Sequence, residues 1–187
     1  MFEHVKISIR ITIVLLVITC GLYPLTVWAI GQTFFRDKAN GSLILRNGTV
    51  IGSSLIGQHF AGARFFHGRP SSSNYDPSAS GGTNWGPTSA KLRDAVAQRT
   101  AHYNDTKPAA GIPADAVTAS CSGVDPHISV ANAESQAARV ARENSLPPPQ
   151  VAALIRRHTE GRFLGIYGEP RVNVLLLNLD LMNAAAK

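Results

Sequence analysis

Ile11-Thr-Ile-Val-Leu-Leu-Val-Ile-Thr-Cys-Gly-Leu-Tyr-Pro-Leu-Thr-Val-Trp-Ala-Ile30 decides how the rest of the chain is read. It sits inside a stretch without a single charged residue, bounded by Arg10 and Arg36. A hydrocarbon slab of ~30 Å takes about 20 apolar residues at ~1.5 Å rise each. This stretch meets that requirement, and nothing else in the chain comes close without a charge. The sequence therefore predicts a short N-terminal tail at 1–10, one transmembrane helix at 11–33, and one domain at 36–187.

The flanks set an expected orientation. Lys6 and Arg10, partly offset by Glu3, precede the span, whereas Arg36 and Lys38 follow it around Asp37. This positive-inside bias is mild, but a long polar domain after a first span translocates largely regardless of its charge. The tail is expected in the cytoplasm and the domain outside it. A cleaved signal peptide is the competing reading, with Val27 and Ala29 flanking Trp28 as a passable cleavage site. The apolar stretch, however, exceeds the ~7–15 residues of a signal core. Tyr23 and Trp28 also suit the interfacial end of a retained span. Gly21 and Pro24 are expected to bend the helix, since proline removes a backbone donor and crowds the preceding turn. A neighbouring helix best covers such a bend, so Gly21, Tyr23 and Pro24 are candidate helix-packing residues.

Beyond the anchor, about 150 residues suffice for one domain with its own core. The formal net charge is +6, spread along the chain, with Arg156-Arg157 the only adjacent basic pair. A nucleic-acid surface needs clustering, so that class is set aside, and anionic lipid or an acidic partner is the simpler match. Cys20 falls in the apolar span and Cys121 far along the domain, which argues against a disulfide. The six histidines show no ligand spacing for zinc.

Within the domain, Asn47-Gly48 between Ser42-Leu-Ile-Leu-Arg46 and Thr49-Val-Ile51 reads as a β-hairpin, because those residues supply both positive-φ positions of a type I′ turn. Residues 57–87 are dense in Gly, Ser, Pro and Asn, yet carry Phe60, Phe65, Phe66, Tyr75 and Trp85. So many aromatics predict an ordered loop folded onto the domain rather than a disordered linker. A helix is expected over 88–103, with Leu92, Ala95, Val96 and Arg99 on one side. A polar connector at 108–113 and a short β-prone stretch, Ala116-Val-Thr-Ala119, come next. Ser129 is the expected N-cap of a helix over 130–143. Another helix follows Pro147 and runs until Gly161, carrying Val151, Leu154, Ile155 and His158. The leucine-rich end alternates like a strand and also fits a helix; a short strand from Arg171 and then a terminal helix is the reading adopted. The fold class is α+β: one transmembrane helix followed by a mixed α/β domain.

An ordered set of words gives a resemblance. They are Gly41-Ser-Leu-Ile44, Gly52-Ser-Ser-Leu-Ile-Gly-Gln58, Phe66-His-Gly-Arg-Pro-Ser71, Tyr75-Asp-Pro77 and Ala79-Ser-Gly-Gly-Thr-Asn84. Val117-Thr-Ala-Ser120, Ser122-Gly-Val-Asp-Pro-His-Ile-Ser129, His158-Thr-Glu-Gly-Arg162 and Gly168-Glu-Pro-Arg-Val-Asn-Val174 continue the set. Together they resemble the C subunit of the bacterial Kdp potassium-transporting ATPase over essentially the whole chain. Cys121 departs from the glycine or alanine expected there. The resemblance implies a bacterial inner-membrane pump: a channel-like subunit passes potassium, a P-type ATPase subunit hydrolyses ATP, and a small single-span subunit helps assembly. This chain would be a non-catalytic accessory subunit, stabilising the assembly and capping or modulating its partners, with ATP entering only through the ATPase partner. The family is also described as a catalytic chaperone that raises the partner's ATP affinity. With only a short tail in the cytoplasm, such an effect is expected to be indirect.

The residues themselves offer candidates. His67 and Arg69 are polar groups on a Gly/Pro turn, either functional or bonded to loop carbonyls. Ser80, Gly81 and Gly82, followed by Asn84, form either a backbone nest for an anion or a flexible turn, and no P-loop lysine accompanies them. Asp125-Pro-His127 could be half of a hydrolytic triad, but no serine sits in a Gly-x-Ser-x-Gly elbow, so a turn is preferred. Glu169 and Arg171 suit an ion pair or turn. No catalytic or metal residue is assigned, and one helix supplies no ring of carbonyls to select potassium. A stand-alone anchored enzyme or binding protein, acting through the His67/Arg69 loop, remains a second reading.

Overall fold

A computed structural model describes residues 2–103, 105, 107–108 and 111–185. It divides into two compact units, one up to Ser53 and one from Ser54 onward.

The first unit is a long apolar helix and a hairpin. Helix α1 (Phe2–Leu16) passes through a π-helical segment, Val17–Leu22, into α2 (Tyr23–Phe34). The widened register ends next to Pro24, the residue that lacks an N–H, and π segments commonly take up such a mismatch. The π-helical irregularity includes Gly21 and lies just before Pro24. Helical geometry extends upstream to Phe2, through the residues expected as a tail. Thr19, Thr26 and Thr33 each donate to the carbonyl four residues back, so their hydroxyls are satisfied within the helix. A short helix, α3 (Arg36–Ala39), follows, tied back by reciprocal carboxamide bonds between Gln32 and Asn40. Strands β1 (Leu43–Arg46) and β2 (Thr49–Ser53) form the hairpin, with a bulge between Ile44 and Leu45. Asn47 and Gly48 take φ of 53° and 78°, as a type I′ turn requires.

The second unit is α+β. It contains α4 (Ala90–Ala101), α5 (Ala114–Val117), β3 (His127–Ser129), α6 (Val130–Glu143), α7 (Pro148–Arg157), β4 (Thr159–Glu160), β5 (Arg171–Asn173) and α8 (Val174–Ala185). The sheet is antiparallel in the order β3-β5-β4, pairing Ile128 with Val172 and Thr159 with Val172. Phe66, Ile128, Val140, Val151, Ile155, Val172, Leu177 and Leu181 make the buried core. In α8 the buried residues are Val174, Leu175, Leu177, Asn178 and Leu181, a helical repeat, so the leucine alternation is incidental. Ser129 caps α6 as expected, accepting from the Asn132 amide at 3.1 Å. The half-buried face of α4 comprises Leu92, Ala95, Val96 and Arg99, the side read from the sequence.

Three local expectations need correction. The helix expected to run until Gly161 ends at Arg157, and Thr159–Glu160 pair with β5 as β4 instead. The β-prone 116–119 stretch begins inside helix α5, which takes Ala116 and Val117, and the chain turns extended at Thr118. Asp115 decides this: its carboxylate accepts from the Ser129 amide and hydroxyl at 2.7 and 2.8 Å and from the Asn132 side chain at 3.0 Å. Three such bonds outweigh a weak strand propensity. Glu169 and Arg171 do not pair with each other; Glu169 bonds Arg162, and Arg171 bonds Glu160 across the β4–β5 ladder. The connector at 108–113 falls partly, at 109 and 110, outside the described residues.

Candidate functional site

Residues 57–87 lie over α6 and α8, and side chains rather than strands hold them there. Asn178 of α8 donates to the Phe66 carbonyl and accepts from its amide, both at 2.9 Å. Gln136 of α6 treats His67 the same way, at 2.7 Å from its amide and 3.0 Å from its carbonyl. A carboxamide offers a donor and an acceptor side by side, so each residue replaces one rung of a sheet. Ser129, Asn132, Gln136 and Arg139 fall at helical spacing and continue this stripe along α6. Gln136 donates to Asn132, while Arg139 bonds Gln136, the carbonyls of Ala63 and Phe65, and Asp105.

His67 is therefore fixed through its backbone, and its ring Nε2 lies 3.1 Å from the Gly62 carbonyl. Burial and the nearby Arg139 charge push its pKa below the ordinary value, which favours the neutral ring. Arg69 lies 3.4 Å from both the Asp125 carboxylate and the Ala119 carbonyl, and its buried Nε has no partner among the described residues. Burial would raise the Asp125 pKa, but the His127 ring and amide, helped by Arg69, hold it below the usual range. Tyr75 donates to the Arg69 carbonyl at 2.6 Å, and burial, reinforced by Asp125, pushes its pKa up to about 12. Its ring packs so closely on Gly57 and Gly68 that a Cβ at either position would collide with it. A recess of about 530 Å³ remains beside these groups, lined by His59, His67, Arg69, Tyr75 and Arg99 among others.

The Ser80–Gly82 turn lies elsewhere in the same loop. Ser80 Oγ and the Gly81 amide both donate to the Ser122 carbonyl, at 2.9 and 2.8 Å, and Gly82 abuts the Cys121 backbone. The Gly81 amide is thus spent on the neighbouring loop rather than pointed at a ligand. Asn84 is exposed with φ of 54°. The structure brings His67 and Arg69 to one recess; Ser80, Gly81, Gly82 and Asn84 do not line it. Gly21, Tyr23 and Pro24 belong to the helical unit, where a Cβ on Gly21 would meet nothing within 4 Å. The His127 amide donates to the Asp125 carboxylate at 2.9 Å, but its ring nitrogens stand 3.7 Å from the Asp125 and Glu160 carboxylates, longer than a tight hydrogen bond, so Asp125-Pro-His127 is not an assembled acid–base pair here.

Sequence reasoning missed Asn178, Gln136, Arg139 and Asp115. A buried amide inside an apolar helical repeat, as in Leu177-Asn178-Leu179, is the signal that points to the first of them.

The class these features define is a chain with one N-terminal helix, Phe2–Phe34, long and apolar enough to cross a membrane, followed by an α+β unit whose loop is bonded largely within that unit. Residues 5–183 match the family model described as KdpC: K+-transporting ATPase, c chain. The chain is 50% identical over 183 residues to the potassium-transporting ATPase KdpC subunit of Koribacter versatilis, covering 97% of this chain and 95% of that one. The Nitratidesulfovibrio vulgaris subunit of the same name is 48% identical over 186 residues, 97% and 94% covered. The Mycobacterium tuberculosis H37Rv subunit is 50% identical over 179 residues, 93% and 95% covered. The chain belongs to the KdpC family and is a subunit of the potassium-transporting Kdp ATPase complex.

Proposed function

We propose that this chain is a non-catalytic accessory subunit. In this reading its helix crosses the bacterial inner membrane with the amino terminus cytoplasmic. The helix packs against the larger subunits, and the domain sits outside the cytoplasm over the mouth of the channel-like subunit. Its partners are that channel subunit, the P-type ATPase subunit and the small single-span subunit. ATP is bound by the ATPase subunit, and any effect of this chain on nucleotide affinity passes through the membrane helices as a coupling free energy. Gly21 is the place where a neighbouring backbone can approach closely, because it adds no side chain to the irregular turn before Pro24.

One observation carries the reading: Gln136 of α6 and Asn178 of α8 hold the His67 and Phe66 backbone, while the loop's own polar side chains bond loop carbonyls and the 119–125 segment, which builds a rigid body rather than a reaction centre. Purification of the complex in mild detergent tests it. This chain is expected to co-purify with the channel and ATPase subunits, and a reporter fused after Lys187 is expected to work only outside the cytoplasm. A reporter active only inside would reverse the topology and restore direct contact with nucleotide.

A further inference from the structure

Strands β4 and β5 extend into a hairpin whose far end carries four large apolar side chains. Beyond the ladder, Phe163 and Tyr167 pair as an isolated antiparallel bridge, exchanging amide-to-carbonyl bonds of 2.8 and 3.0 Å. Leu164, Gly165 and Ile166 connect them; Leu164 and Gly165, with φ of 53° and 74°, are the central residues of a turn closed by the Ile166 amide donating to the Phe163 carbonyl at 3.1 Å. Phe163, Leu164, Ile166 and Tyr167 are 71, 74, 72 and 66% exposed. Apolar side chains clustered so openly on a short, hydrogen-bonded hairpin mark a surface that another molecule covers. The turn sharpens this. A type I′ turn asks for Asn or Asp at its first central position, as Asn47 supplies in the β1–β2 hairpin, and leucine at positive φ is disfavoured by the clash of its Cβ with the backbone. Leucine stands there nonetheless, at the outermost point.

The collar below the tip says what covers it. Arg162 Nη2 lies 3.1 and 2.9 Å from the two carboxylate oxygens of Glu169, and Arg171 bonds Glu160 at 2.9 Å. Two arginines are thus matched by two glutamates, and the hairpin has no charge surplus. A segment that settles on anionic lipid keeps its basic residues unpaired around the apolar face. An apolar centre inside a neutral, polar rim is instead the build of a protein–protein contact.

We infer that Phe163, Leu164, Ile166 and Tyr167 form a docking knob. It seats in an apolar pocket, rimmed by polar groups of both signs, on the extracytoplasmic surface of another subunit of the same complex. The inference rests on the topology proposed above. It is tested in the assembled complex, in membranes, with a photoreactive benzoylphenylalanine replacing Ile166. The expected result is a covalent adduct with one of the other subunits. An adduct only with lipid, an adduct with a second copy of this chain, or no adduct while the chain still co-purifies overturns the knob and leaves the proposed function standing. Failure of the unsubstituted chain to co-purify overturns both. In parallel, the double variant Phe163→Ser, Ile166→Ser is expected to keep its unfolding midpoint while recovery of the complex falls roughly tenfold, the size of one good contact at an interface centre. Unchanged recovery overturns the inference.

Discussion

Residues 57–87 hold one three-residue 3₁₀ turn, Pro77–Ala79, as their regular element, yet Phe66 among them is fully buried with both backbone groups bonded. Residues 159–173 contain the paired strands β4 and β5, yet four side chains at their joined end stand open to solvent. The two regions satisfy their backbones by different means. The loop borrows donors and acceptors from Asn178, Gln136 and Arg139, so its backbone becomes part of the core. The β4–β5 segment bonds to itself, through its short ladder and the separate Phe163–Tyr167 bridge, and its end side chains face outward. Regularity and burial are therefore separate properties here. Framework duty falls to the irregular segment, and display falls to the regular one.

The sharpest break between them is Asn178→Ala. It strands the Phe66 amide and carbonyl in the core, at ~1–3 kcal/mol for each unsatisfied group, so about 3 kcal/mol of stability is expected to go. Denaturant unfolding of the full chain in detergent, followed by tryptophan fluorescence, reads this. A loss below about 0.5 kcal/mol, the level of an ordinary surface change, would mean the loop is not locked through α8. Next comes Asp115→Ala, which removes three bonds to Ser129 and Asn132 and unties α5 from the start of α6. A loss of about 2 kcal/mol is expected by the same measurement, since bonds to charged groups are the stronger ones.

How much of this was legible follows from where each interaction lies along the chain. Asn47-Gly48, Ser129 before α6, and the face of α4 are local patterns, and each appears as read. The α+β class followed from the same patterns. Asp115 overrode the 116–119 reading because its partners lie 14 and 17 residues ahead. Asn178 acts on Phe66 across 112 residues, and no periodicity announces that. The site was legible in part. His67 and Arg69 do reach one recess, but the groups holding them came from distant helices. Ser80, Gly81 and Gly82 stayed open between a nest and a turn because the acceptor of Ser80 and Gly81, Ser122, lies 42 residues on from Ser80.

A smaller effect separates the regions by pH. The His67 pKa is lowered in the folded chain by burial and by Arg139, from an ordinary value of 6.5. Above that value the ring is neutral both folded and unfolded. As pH falls below 6.5, the unfolded chain takes up the proton first, so stability declines until the folded ring also titrates. Unfolding midpoints measured downward from neutral pH are expected to fall, and His67→Gln should flatten that slope. An equal slope in the variant would assign the dependence to other groups and leave His67 no electrostatic part in the loop.

The smallest expected effect has the opposite sign. Leu164→Asn places the residue that a type I′ turn prefers at φ of 53° and removes an apolar side chain that the domain itself leaves exposed. Asparagine tolerates the left-handed region because its short side chain bonds locally, whereas leucine there costs on the order of 1 kcal/mol. Stability is therefore expected to rise by up to about 1 kcal/mol, with no change in the denaturant slope. Recovery of the complex is expected to fall, because the outermost apolar group of the knob is gone. Such a split, a firmer chain that assembles less well, follows only if leucine is held at this turn for something outside the chain. A loss of stability would instead show that Leu164 packs within the domain, and the contrast between a locked loop and a bare hairpin would fail at its tip.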